Sequence, residues 1–169
     1  MNKSDLPPIF SELIAIYNGL ENSDSGEYAL CIGCGECCDF NHSGHKLYLS
    51  LAEALYMVHS SREGLTEDFL SILEKGLCPY QIQNKCTNRE GRSIGCRVFF
   101  CKADGNFMQE KSNAALDVVK AFSKKCHLEW IYGELVVMLT AAYRIIERIS
   151  REENDVEMDI FIGEIFDSL

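Results

Sequence analysis

The chain has 169 residues, 47% of them hydrophobic and 25% charged, which suits a single domain able to bury a core of its own. Its formal net charge of −10 argues against nucleic acid as a partner, and its longest apolar run, Leu135 to Leu139, is far short of a membrane span. Met1 to Pro8 lacks the apolar stretch of a secretory signal, so a cytoplasmic protein is expected, in which nine cysteines point to metal or redox chemistry rather than to disulfides.

In chain order, a first helix is predicted over residues 5–20. Pro7 and Pro8 suit its opening turn, and Ile9, Leu13, Ile16, Tyr17 and Leu20 form one apolar stripe. A loop over residues 21–26 leads to the first cysteines, where Gly33 and Gly35 let the backbone turn tightly. Residues 39–46 read as a polar loop carrying His42 and His45, and Leu47-Tyr48-Leu49 as a short strand. Ser50-Leu51-Ala52-Glu53 is a capping box that starts a helix running to about Ser60. Thr66 is expected to cap a helix through Phe69, Leu70, Ile72 and Leu73, stopped at Lys75-Gly76.

Residues 78–101 read as loop-rich, with Asn84, Asn88, Gly91 and Gly95 at turns. From about Glu110 the helical period returns, with Ala114, Ala115, Val118, Val119 and Phe122 on one face. A second long helix is predicted from about His127 to Ile149, its core side made of Trp130, Leu135, Met138, Leu139, Ala142, Ile145 and Ile149. The tail from Glu152 to Asp167 holds seven acids and no base, and reads as a packed helix with a solvated acidic face. The fold class expected is mainly α: one domain of about five helices around a loop-rich cysteine cluster, with residues 31–101 as metal-binding core, 110–150 as helical support and 152–169 as an acidic C-terminal segment.

Eight of the nine cysteines lie between Cys31 and Cys101. Cys31, Cys34 and Cys37 give C-x2-C-x2-C, the spacing that three corners of a 4Fe–4S cube use, and Cys78-Pro79 supplies a distant fourth ligand followed by proline. Cys38, Cys86, Cys96 and Cys101 form a second set. Neighbouring side chains point apart, so Cys37-Cys38 suggests two centres or one polynuclear centre. A soft thiolate site selects zinc, copper(I) or iron–sulfur clusters. Arg89, Arg92 and Arg97 stand among these cysteines in a basic middle segment. They are candidates to offset thiolate charge, to tune the centre through hydrogen bonds to sulfur, or to hold an anionic substrate; the plain alternative is pairing with surface acids. Tyr80, Phe99 and Phe100 read as shields against water. Cys126 reads as a core thiol, His59 as a surface residue, and Glu36 and Asp39 as exposed loop acids.

The pattern of Cys31, Cys34, Cys37, Cys38, Cys78-Pro79, Cys86, Arg92, Cys96-Arg97 and Phe99 resembles the YkgJ-like cysteine-cluster family, described as a zinc- or iron-chelating domain. The resemblance covers residues 31 to about 101. It departs at Arg92-Ser93, where the family usually has Arg-Pro, and at Cys101, which is not a position of every member. It implies metal binding in a mostly helical fold and no settled reaction. A flagellin lysine methylase carries a comparable motif, which adds methyl transfer to the readings. Three functions follow as expectations: one or two 4Fe–4S centres in electron transfer or redox sensing, served by a redox partner protein; a zinc site in a structural or metal-delivery role; and an iron–sulfur-dependent group transferase.

Overall fold

The computed structural model describes residues 6–23, 34–61, 68–99, 104–151 and 165–167. They form a mainly helical domain: α1 (Leu6–Ser23), a 3-10 turn (Glu36–Cys38), α2 (Phe40–Ser43), β1 (Tyr48–Ser50), α3 (Leu51–Ser60), α4 (Phe69–Glu74), β2 (Gln81–Ile82), β3 (Lys85–Cys86), α5 (Ile94–Val98), α6 (Gly105–Lys125), β4 (Tyr132–Glu134) and α7 (Leu135–Arg151). Thr66 and most of the acidic tail lie outside the described residues; Ile165, near its end, is buried.

The expected apolar stripes supply the core. Helix α3 packs along α7, which buries Leu135, Met138, Leu139, Ala142, Ile145 and Ile149 against it. Helix α1 packs Ile9, Leu13 and Tyr17 against α3 and α6, and α6 adds Ala115, Val119 and Phe122, while Ala114 is exposed. Burying one such large apolar side chain is worth about 1.5–3 kcal/mol, so these stripes outweigh any single polar contact in the domain.

The expected helix from residue 127 to 149 is corrected at its start. Helix α6 ends at Lys125, His127 takes the left-handed backbone conformation (φ 52°), and α7 begins only at Leu135. Between them β4 pairs antiparallel with β1, placing Leu49 opposite Gly133. Trp130, Ile131 and Tyr132 are aromatic or β-branched residues that suit extended backbone, and the pairing with β1 outweighs their place in a helical stripe. Trp130 is therefore a surface residue, 38% exposed and stacked on Tyr132 at 5.2 Å. The loop expected over 39–46 contains the single turn α2, which Asp39 caps by accepting from His42 N at 3.0 Å. The strand expected at 47–49 lies one residue later.

The capping box forms as predicted and does more than start a helix. Glu53 is fully buried. Its Oε2 accepts from the backbone N–H and the hydroxyl of Ser50, both at 2.9 Å. Its Oε1 accepts from the backbone N–H of Ile94 at 2.7 Å and from the Tyr17 hydroxyl at 3.4 Å. One carboxylate thus ties β1, α3, α5 and α1 together. Burial raises the Glu53 pKa above the usual carboxylate range, against the pull of these hydrogen bonds.

Replacing Glu53 with Gln puts an NH2 group in front of one of the two backbone N–H donors, neither of which can turn away. A loss of about 1–3 kcal/mol in urea unfolding at pH 7 is expected. The raised pKa means the native state binds the proton more tightly than the unfolded chain. The Glu53 contribution therefore falls as pH climbs from the unfolded carboxylate pKa to the folded one, and is level above that. The Glu53→Gln variant should lack this downward slope in a stability–pH profile.

Candidate metal centre

The cysteine segments are brought together by short, locally encoded devices. Cys34 precedes Gly35, which adopts φ 75° and opens the 3-10 turn bearing Cys37 and Cys38. A methyl group on Gly35 would meet the Asn84 carbonyl carbon at 2.9 Å, so both its conformation and its surroundings demand glycine. Gln81 Nε2 donates to the Gly35 carbonyl at 3.0 Å, and Cys78 N donates to the Cys38 carbonyl at 3.1 Å. These bonds dock the first cysteine segment on the second.

Cys78 follows the end of α4, where Gly76 (φ 71°) and Leu77 return bonds to Leu73 and Ile72 in a Schellman arrangement, as the Lys75-Gly76 stop implied. Cys86 sits on the small hairpin β2–β3, opposite Gln81, across a turn in which Gln83 and Asn84 both have positive φ. Cys96 lies in the first turn of α5. Ser93 caps that helix through Cys96 N, and its hydroxyl also reaches Cys96 Sγ at 3.5 Å.

The outcome is a single cavity of about 270 Å³ with Cys37, Cys38, Cys78, Cys86 and Cys96 in its wall. Cys37 and Cys38 lie close enough to shift each other's ionisation, and Cys78 acts on Cys38 in the same way. The adjacent pair was expected to point apart. In the 3-10 turn both side chains instead reach the same space. The two sets of four expected from the spacing are mixed here as well: Cys37 and Cys78 of one set share the cavity with Cys38, Cys86 and Cys96 of the other. Cys34 is half-buried and is not among the lining residues, and Cys31 and Cys101 lie outside the described residues. Among the described residues no three His, Cys, Asp or Glu side chains already stand in an ion-holding arrangement, and the described thiols are free rather than paired in disulfides.

The remaining wall is largely apolar, with Phe40, Leu47, Val98, Phe99 and Val119 prominent. Phe99 lies in this wall, with His45 stacked on it at 4.8 Å and Phe40 edge-on to that imidazole, while Phe100 lies outside the described residues. Burial lowers the His45 pKa, which favours a neutral ring whose nitrogens are fit to bind a cation. Tyr80 is buried against Phe69.

The three arginines part company. Arg92 lines the cavity and favours the thiolate forms of Cys37 and Cys96. Arg97 stacks on the Tyr17 ring at 4.1 Å and donates to the carbonyls of Arg92 and Glu90, bracing the turn before α5. Arg89 is exposed and outside the lining. Cys126 lies apart, half-buried in the wall of a separate cavity between α1, α3 and the end of α6, while His59 and Glu36 are exposed as expected. Sequence reasoning missed Gln81 and Ser93 as positioning groups. The serine just before Ile94 is a cap signal that could have revealed α5.

The electrostatics follow from crowding in an apolar setting. The Cys37 thiol is raised by its interaction with Cys38 and by burial. Cys38 is assisted by Cys37, but the interaction with Cys78 and burial outweigh this and raise it too. Burial pushes Cys96 up to about 11, and the neighbouring Cys86 and Cys37 add to the effect against Ser93 and Arg92. Five thiols in one pocket cannot all ionise against Arg92 and Lys46, the lysine being already paired with Glu134. A soft cation at their centre removes that obstacle, and five thiols exceed what one tetrahedral ion takes. The residues present therefore fit a thiolate-ligated centre.

No family model matches the chain, and neither the curated proteins nor the solved structures compared with it give a match.

Gly35 and Gly44 both have positive φ, but a methyl group at Gly44 would meet nothing within 4 Å. Gly44→Ala should therefore cost only the left-handed penalty of roughly 1–2 kcal/mol. Gly35→Ala should cost clearly more, because Asn84 must also move. Urea unfolding of the two variants side by side measures the difference.

Proposed function

We propose that this protein binds an iron–sulfur centre through the thiolates of Cys37, Cys38, Cys78, Cys86 and Cys96, with Cys31, Cys34 and Cys101 as further ligands, and serves in electron transfer or redox sensing. The observation that carries the reading is the convergence of five cysteines from four separated segments on one apolar-walled cavity. The C-x2-C-x2-C spacing and the resemblance to the YkgJ-like cysteine-cluster family favour the same chemistry.

When bound, such a centre supplies one-electron chemistry. The chain's own residues do the rest. The cysteines hold the centre, Phe99, Phe40 and Val119 keep water from it, and Arg92 offsets the negative charge of thiolate ligation. A reducing compartment such as the cytosol keeps the ligands as thiols. Among the described residues no helix is long and apolar enough to cross a membrane.

Purification without oxygen should yield a brown protein whose visible absorption bleaches on reduction, with iron and sulfide confirmed by analysis and by Mössbauer or electron paramagnetic resonance spectra. A colourless product with stoichiometric zinc would replace the reading with a structural or metal-delivery site. Cys78→Ser and Cys96→Ser should each lower bound iron severalfold, whereas Cys126→Ser should leave it unchanged. Because thiols with raised pKa must lose protons to bind, uptake should release protons and strengthen as pH rises from 6 to 8.

A further inference from the structure

Tyr80 holds a feature that packing alone does not explain. It is 5% exposed, and its hydroxyl is a fully buried polar atom with no hydrogen-bond partner, the one side-chain atom of that kind among the described residues. Ser61 and Asn88 are neighbours of Tyr80, but neither makes a bond of acceptable geometry to its hydroxyl. Both make bonds of their own. Ser61 Oγ donates to the carbonyl of Met57 at 2.8 Å. Asn88 donates to the same carbonyl at 2.9 Å and accepts from Gly91 N at 3.0 Å and from Ser60 Oγ at 3.3 Å. Buried hydroxyls are almost always satisfied, so an orphan calls for a missing partner. Tyr80 lies in the wall of the thiol cavity, two residues beyond Cys78.

We infer that the Tyr80 hydroxyl is a hydrogen-bond donor to a sulfur of the centre held in this cavity, and that it is the residue that sets the centre's reduction potential and retention. The inference rests on the thiolate-centre reading above and adds a role that the ligands do not carry. A phenolic O–H is a good donor to a sulfur bearing negative charge, and such bonds favour the reduced, more negative state of a cluster. The hydroxyl is then costly in the empty protein and satisfied in the loaded one. A residue that only filled space would act alike in both.

The test compares wild type and Tyr80→Phe, each purified without oxygen and reconstituted with ferrous iron and sulfide. Three quantities are read: iron per chain, reduction potential by optical titration, and thermal midpoint with and without the centre. Both proteins should load. At fixed potential the variant's reduced-to-oxidised ratio should fall by roughly tenfold, a shift of about 59 mV to lower potential for a one-electron couple. The empty variant should melt no lower than the empty wild type, and iron loss to a chelator should be severalfold faster from the variant. If wild type and variant load equally with the same potential and the same rate of iron loss, the inference is wrong while the metal reading stands. If the variant gains the same stability empty and loaded, the hydroxyl is merely an unsatisfied group and the inference is again wrong. If the wild type takes up no iron, the metal reading itself fails, and the inference with it.

Discussion

The Glu53 carboxylate is the constraint on which the remaining geometry depends. A buried charge is tolerated only when its oxygens are filled, and here four donors from three places fill them. Two of those donors belong to Ser50 at the end of β1, and one to the first residue of α5. Through that last bond the helix carrying Cys96 is held at a set distance from α3. Arg97, on the same short helix, lies over Tyr17, whose hydroxyl completes the set around Glu53. A five-residue helix has little stability of its own. It persists here because a capping serine and a foreign carboxylate satisfy its first N–H groups.

The second organising fact is that the thiol cavity is built from irregular backbone that nevertheless has few conformational choices. The left-handed glycines at 35 and 76, the Gln83-Asn84 turn and the Cys78-to-Cys38 backbone bond each remove freedom from a segment without regular structure. These contacts hold the loops so that five cysteines line one cavity. What the loops lack is charge balance. Burial and mutual proximity favour the protonated forms of Cys37, Cys38 and Cys96, and Arg92 compensates only in part. On the proposed reading, a cation that displaced the protons would convert this crowding into ligation and couple metal uptake to proton release.

Legibility in the sequence followed the range of the forces involved. The capping box at Ser50 and Glu53, the apolar stripes of α1, α6 and α7 and the glycine stop after α4 were all readable, because a cap, a periodic face and a positive φ are decided within a few residues. Trp130 was misassigned to a helical core because its spacing fits α7. Its real surroundings depend on β1, more than 80 residues earlier in the chain, which pairs with β4 and turns the segment extended. Helix α5 and the hairpin β2–β3 are too short for periodicity to show. The adjacent cysteines were expected to diverge, and the 3-10 turn that makes them converge depends on Gly35 fitting against Asn84.

By itself the sequence determined that the fold is mainly helical and where along the chain the thiols lie, because periodicity and residue chemistry are properties of short segments. Tertiary structure alone decided that Cys37, Cys38, Cys78, Cys86 and Cys96 share one cavity, that Arg92 rather than Arg97 lines it, and that Tyr80 stands there with its hydroxyl unsatisfied. The reason is physical. Convergence depends on the relative placement of α3, α4 and α5, and that placement is fixed by contacts such as Ile94 to Glu53 between groups 41 residues apart, which no local pattern encodes.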